Sequence, residues 1–378
     1  MTFNFDERIE RRHSDSAKWN KYPADVLPMW VADMDFRSAP CIIDALHARV
    51  AHGVFGYSGH PQPFIDQIIN WLATQYQWHI RPEWLVIIPG VVPGLNLSLR
   101  AFTRPAEKSI APAIIYPPFH KAARLAQCQQ HHAPLVLKNG RWQIDLAALA
   151  PQMDGSETLL LLCNPQNPGG TVYGKAELET HLAFARQHDL IVCSDEIHCD
   201  LILEPGVKHI PFATLSEDAA QRSVTLMSPS KTWNIAGLGA SFAVIPNPEL
   251  RQRFVAAGEG VLPHVDLLAL TAATAALRHG GPWRDALIGY LRHNRDRLFS
   301  AVNALPGLEM VAPEATYLAW VNASGLDVDN PANWFARHGL GFSPGRDFGD
   351  AQYVRINFGC PASTLEEAIT RLGRAVAG

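Results

Sequence analysis

Short, unbroken apolar runs alternate with longer stretches of helical period through the middle of the chain. Residues 84–89 (WLVIIP) predict a strand that runs into a GVVPG turn and then a helical pattern, LNLSLRAF. A second apolar run, 110–116, is followed by helical spacing over 119–130 and a short strand at 135–137. The run TLLLLC (158–163) predicts a strand leading through NPQNPGG into a helix over 175–188. Further strands are expected at 190–194, 224–228 and 240–245. Leu, Ile and Val runs without polar alternation suit strands covered on both faces. Strands separated by helices build an α/β fold around a mostly parallel sheet.

The pattern changes towards the C-terminus. A long helical stretch, 267–305, precedes short strands at 317–321 and 353–357, as in an α+β unit. The residues before about Asp44 show no sheet of their own and are expected to join that unit. The expected organisation is a large domain over 45–275 and a smaller one built from 1–44 and 276–378. No repeat and no low-complexity tract interrupts it.

Apolar residues make up 47% and charged residues 18% of the 378, enough to build a core and against overall disorder. The net charge of −4 gives no basic field for nucleic acid. No apolar run approaches the ~20 residues of a membrane span. The opening MTFNFDERIERRHSD lacks the charged-then-apolar layout of a leader. Six scattered cysteines without a CxxC pair read as reduced thiols, so a cytoplasmic location is expected. Sixteen histidines occur without HExxH spacing, and the adjacent His131 and His132 read as a surface pair rather than a metal site.

Chemistry gathers where an open parallel sheet binds ligands, at the carboxyl ends of its strands. Asn167 follows TLLLLC; Asp195, Glu196 and His198 follow LIVCS; Ser230 and Lys231 follow VTLMS; Gly90 follows WLVIIP; Tyr116 closes AIIY. Alone, a lysine such as Lys231 is a solvated surface residue. Beside Ser228 and Ser230, which offer hydroxyls to an anion, it can form a Schiff base if its pKa is depressed. Asp195 either caps a turn or partners a protonated ring nitrogen, as a pyridoxal cofactor requires. The amides of Val91 and Val92 open a helix, where anions bind, although glycine turns after strands are commonplace. Tyr116 packs in the core or stacks on a flat ring. NPQNPGG is a plain turn or presents Asn167 to a phenolate oxygen. Arg355, within YVRINF, either pairs with an internal acid or captures a substrate carboxylate.

In this order the residues resemble the fold-type I pyridoxal-phosphate (PLP) enzymes of the class I/II aminotransferase superfamily. The closer resemblance is to the cystathionine β-lyase (C–S lyase) branch, the MalY/PatB-like proteins. It is carried by LPMWVADMDF (27–36), HGVFGYSG (52–59), GVVPGL (90–95), IYPPF (115–119) and NPQNPGG (164–170). It continues through SDEIHCDLIL (194–203), SPSKTWNIAGL (228–238), EATYLAWV (314–321) and YVRINFGCP (353–361), so it spans nearly the whole chain. SDEIH together with SxSKTxNIAGL is the most specific pair.

The resemblance implies a seven-stranded-type sheet with helices on both faces, and the cofactor pyridoxal 5′-phosphate. Lys231 matches the lysine that bonds the cofactor, Asp195 the pyridinium partner, Asn167 the amide on O3′ and Tyr116 the stacked aromatic. Val91 and Val92 match the phosphate turn, with Ser228 and Ser230 adding hydroxyls. Arg355, with Asn167 beside it, matches the site of the substrate carboxylate. Tyr57 matches a tyrosine that crosses a homodimer interface to the neighbour's phosphate. His198 stands where aminotransferases carry tyrosine, and Gly239 where they carry a phosphate-binding arginine; both departures favour the lyase branch. The implied reaction is α,β-elimination of cystathionine or another cysteine S-conjugate to a thiol, pyruvate and ammonia. The alternatives are an aminotransferase on the same scaffold, or a regulatory protein that keeps the cofactor site and binds a protein partner. Neither a nucleic acid nor a membrane is an implied partner.

Overall fold

The computed structural model describes residues 3–59 and 61–377. Seven strands form the large sheet: β1 (Leu85–Ile88), β2 (Lys108–Pro112), β3 (Gln129–Ala133), β4 (Glu157–Cys163), β5 (Ile191–Asp195), β6 (Ser223–Met227) and β7 (Ser241–Val244). Their spatial order is β1-β7-β6-β5-β4-β2-β3. Neighbours from β3 through β6 run parallel, and β7 runs antiparallel to both β6 and β1. The sheet is therefore mostly parallel, with one reversed strand.

The Leu run of β4 shows why it lies at the centre. Leu159 and Leu161 pack into the core on one face, and Leu160 and Leu162 into the core on the other. Side chains of a strand alternate in direction, so a run apolar at every position needs cover on both sides. Full burial of each such leucine contributes about 1.5–3 kcal/mol relative to exposure. Helix α3 (Val91–Phe102) covers one face and α5 (Lys175–Gln187) the other; earlier in the chain come α1 (Pro40–His52) and α2 (Gln62–Tyr76).

Two expectations are corrected. The helix expected over 119–130 is α4 (Pro118–Leu125); residues 126–128 turn, and the last two open the edge strand β3. Gln127 adopts a left-handed φ of 57°, which ends the helical path. The helical stretch expected over 267–305 is two helices, α6 (Leu267–His279) and α7 (Gly281–Asn303). They part at Gly280, whose carbonyl accepts the Trp233 indole N–H at 2.9 Å. A Cβ at that glycine would stand 2.3 Å from the same indole nitrogen.

A smaller sheet follows, of β8 (Glu309–Met310), β9 (Leu318–Asn322), β10 (Ser343–Pro344) and β11 (Tyr353–Asn357), in the order β8-β9-β11-β10. The N-terminal segment joins this end of the molecule, as Leu27–Pro28 pairs in parallel with Leu340–Gly341. It then runs on as a strap between the two sheets. Asn234 bonds the strap at Met34 N, Met34 O and Phe36 O from the large-sheet side. Asn357, at the end of β11, donates to the carbonyls of Val31 and Asp33 at 2.6 Å each. Among the described residues no helix is long and apolar enough to cross a membrane.

Candidate active site

The carboxyl ends of the central strands open into a cavity of about 360 Å³, which the strap and the small sheet close from the opposite side. Val91, Val92, Tyr116, Asn167, Asp195, His198, Ser230, Lys231 and Arg355 all line it. The eight from Val91 to Lys231, spread over 141 positions of sequence, share one wall, because parallel strands all end at the same edge, and Arg355 faces them from the small sheet.

The start of helix α3 lies at the cavity. Helix α3 starts at Val91 behind Gly90, which has no side chain to cap it. First-turn amides have no intrahelical acceptor, and Pro93 has no N–H, so the donors left free by the helix are those of Val91 and Val92. Ser230 and Ser241 line the same cavity. Gly239 does too, and its own Cβ would stand 2.5 Å from the Pro89 carbonyl oxygen. The approach of these two backbones leaves no room for a side chain at that position.

Asp195 ends β5 and is buried. It accepts the Ile197 amide at 3.1 Å. Burial, opposed by that amide and by Lys231 and reinforced by Glu196, pushes its carboxyl up to about 7. A carboxylate so placed is short of positive charge. Lys231 donates to the Ala32 carbonyl of the strap at 2.7 Å. Burial and the nearby Arg355 lower its ammonium to about 8, against the pull of Asp33 and Asp195. His198 is buried with Nδ1 unpartnered, and burial with the charges of Lys231 and Arg355 lowers it to about 3. Its imidazole is therefore neutral over the whole working range.

Arg355 comes from β11. Its guanidinium donates to Asn167 Oδ1 at 3.0 Å and to the Trp30 carbonyl at 3.1 Å, and lies 4.5 Å from the Phe348 ring centre. Its Nε is buried without a partner, and burial brings its pKa down to about 10. No aspartate or glutamate pairs with it among the described residues, so the internal ion pair left open by the sequence is not what holds it. Tyr116 is half-buried at the cavity wall, its hydroxyl pushed up by burial.

Two predicted residues lie elsewhere. Ser228 does not line the cavity: its hydroxyl donates to the Ala240 carbonyl at 2.9 Å and accepts the Ser230 amide at 3.1 Å, which shapes the turn before Lys231. Tyr57 is fully exposed and does not line the cavity. Sequence reasoning assigned no role to Ala32 or Tyr317. The Ala32 carbonyl accepts both the Lys231 ammonium and, at 2.9 Å, the buried Tyr317 hydroxyl. A backbone carbonyl leaves no side-chain signal; the motifs WVADMDF and EATYLAWV were the trace available.

The chain matches the family described as aminotransferase class I and II over residues 20–372. Cystathionine β-lyase PatB of Bacillus subtilis (strain 168) is 38% identical, covering 99% of this chain and 100% of its own length. Among solved structures, that of OvoB superposes with a TM-score of 0.98 and 59% identity over the whole of both chains. Cystalysin from Treponema denticola, which contains a pyridoxal 5′-phosphate cofactor, superposes with a TM-score of 0.95 and 31% identity, covering 100% of this chain and 99% of its own.

Proposed function

The chain belongs to the aminotransferase class I and II family, in its cystathionine β-lyase branch, and from that premise we propose a PLP-dependent carbon–sulfur β-lyase acting on L-cysteine S-conjugates. The reading rests on Arg355, a buried guanidinium that shares a cavity with Lys231 and Asp195 and has no acid of its own. An unpaired buried charge is costly, and a substrate α-carboxylate offsets that cost with a bidentate, charge-assisted pair.

The residues fit pyridoxal phosphate. The free amides of Val91 and Val92, with Ser230 and Ser241, suit the phosphate. Asp195, held protonated up to about 7 by burial, becomes a full carboxylate beside a ring N–H⁺. Tyr116 suits the ring face and Asn167 the phenolic oxygen. The cofactor, when bound, supplies the electron sink for charge released at Cα.

The chain's own residues do the rest. Arg355 and Asn167 hold the α-carboxylate, which orients the Cα–H bond. Lys231, lowered to about 8, is unprotonated in about a tenth of molecules at pH 7 and takes the Cα proton as general base. The Cβ–S bond then breaks, and sulfur leaves with the bonding pair and takes the proton held by Lys231 to become a thiol. The three-carbon remainder takes up water to give pyruvate and ammonia. Cystathionine would release homocysteine.

The test is thiol and pyruvate release by the PLP-loaded protein from a panel of S-conjugates, with no oxo acid present. Equal amounts of thiol and pyruvate are expected. Turnover that requires an added oxo acid, with no thiol released, would replace the lyase by an aminotransferase.

We further propose that residues 45–275 hold the cofactor, that 1–44 and 276–378 close over the substrate, and that the active unit is a cytoplasmic homodimer. Tyr57 lies in an exposed stretch with Val54 and Phe55 and does not line its own cavity. Gly239 leaves no space for an arginine at the α3 end of the cavity. A partner's Tyr57 would supply the missing donor.

A further inference from the structure

Part of the cavity wall carries the charged side chains of Lys21 and Asp347, beside the Trp30 carbonyl and the Phe348 ring that hold Arg355. It comes from two segments on the small-sheet side: Lys21 with Trp30 of the strap, and Pro344, at the end of β10, with Asp347 and Phe348 after it. The Lys21 ammonium sits 3.8 Å from the centre of the Trp30 ring, a cation–π distance. The Trp30 indole N–H donates to the Lys18 carbonyl at 3.1 Å, which fixes the ring under it. Asp347 stands in a single helical turn, Gly345–Asp347, and its charge acts on Lys21. Lys21 and Asp347 are nevertheless unpaired: among the described residues neither forms an ion pair, and both remain open to water. Burial lowers the Lys21 ammonium, and Asp347 opposes that shift.

Resting on the lyase reading above, we propose that Lys21 and Asp347 form a subsite for a distal ammonium and carboxylate, so that the enzyme favours thioethers joining two amino acids. With Arg355 holding the α-carboxylate and Lys231 at Cα, the substituent on Cβ has this remaining wall to meet. Opposite charges held apart at one mouth match a zwitterion: its carboxylate meets Lys21 and its ammonium meets Asp347. The apolar faces of Trp30, Pro344 and Phe348 line the path for the intervening methylenes and sulfur. A small neutral substituent meets neither charge.

The test compares L-cystathionine, which carries a distal zwitterion, with S-ethyl-L-cysteine, which does not. Pyruvate release by the PLP-loaded protein gives kcat/KM for each, in the wild type and in Lys21→Ala, Asp347→Ala and Lys21→Arg. Exposed charge pairs contribute up to about 1 kcal/mol, so each alanine variant should lower the cystathionine-to-ethyl ratio about fivefold, mostly through KM. Lys21→Arg should restore most of the ratio. A ratio unchanged in both alanine variants overturns the subsite. Should the wild type release no pyruvate from either compound, the lyase reading fails. The subsite is then judged by the dissociation constants of the same two compounds, measured by calorimetry in the same variants, with the same ratio expected.

Discussion

Burial pushes the Asp195 carboxyl up to about 7, so in the cofactor-free protein this residue works against the fold. A raised carboxyl leaves stability intact below the ordinary value near 3.8 and removes it as pH climbs to about 7. Asp195→Asn lacks that loss. Its cofactor-free form should match the wild type near pH 4 and exceed it by roughly 2–4 kcal/mol near pH 8, read from denaturant melts across pH. The PLP-loaded variant should turn over far more slowly, because the ring nitrogen has lost its counter-charge where charge must flow. No pH-dependent difference between the two cofactor-free proteins would mean that Asp195 is satisfied without the ring. Arg355 sets a second demand at this scale. Its planar fork reaches Asn167 Oδ1 and the Trp30 carbonyl while resting near Phe348. Lysine keeps the charge but not the fork, so Arg355→Lys loses one charge-assisted hydrogen bond to the substrate carboxylate. That costs about 1.5–3 kcal/mol, a tenfold to hundredfold rise in KM for every S-conjugate alike. Equal KM values in the two proteins would place the carboxylate elsewhere.

Elements place these groups, and one tight junction at the site is where β1 and β7 meet the start of α3. The backbone at Gly239 presses on Pro89, one residue before the Gly90 cap that frees the Val91 and Val92 amides. A Cβ there would lie 2.5 Å from a backbone oxygen, which has no flexible end to move aside. Gly239→Ala should therefore shift the turn, weakening PLP affinity at least about tenfold with a smaller loss of thermal stability; a spectroscopic titration of the cofactor checks it. Elements also decide what could be read in advance. The run TLLLLC was legible because burial on both faces leaves an unmistakable apolar string, and its end pointed to Asn167. Strand β3, QQHHA, was not legible: an edge strand has one neighbour, and its Gln and His side chains are either exposed or bonded to other polar groups, so no apolar alternation marks it. The break between α6 and α7 was written as Gly280-Gly281-Pro282, a signal that helical period on both sides masked. The strap was the least legible element. Its part in the site is a set of carbonyls on Trp30, Val31, Ala32 and Asp33, and carbonyls are the same in every residue.

At the scale of the molecule, the α3 end of the cavity and the exposed Tyr57 raise one question together. The chain provides two free amides and nearby hydroxyls for a phosphate, and Gly239 bars an arginine. Its own Tyr57 is outside the lining, on a stretch where Val50, Val54 and Phe55 also stand exposed. Contiguous exposed apolar side chains of this kind mark contact surfaces. A two-fold dimer would bury them and carry each Tyr57 to the other subunit's phosphate, with the exchange repeated at both sites. Subunit mixing tests this. Tyr57→Phe chains keep an intact lysine but lack the phenol, whereas Lys231→Ala chains keep the phenol but cannot bond the cofactor. In a mixed dimer, the site with the intact Lys231 receives an intact Tyr57 from its partner. PLP affinity at that site, followed by the visible absorbance of the bonded cofactor, should return to the wild-type value. The Tyr57→Phe homodimer should bind about tenfold more weakly, the loss of one charge-assisted hydrogen bond to phosphate. Failure to recover despite demonstrated exchange, or full activity in a monomer at low concentration, would leave Tyr57 a surface residue and assign the phosphate to one chain alone.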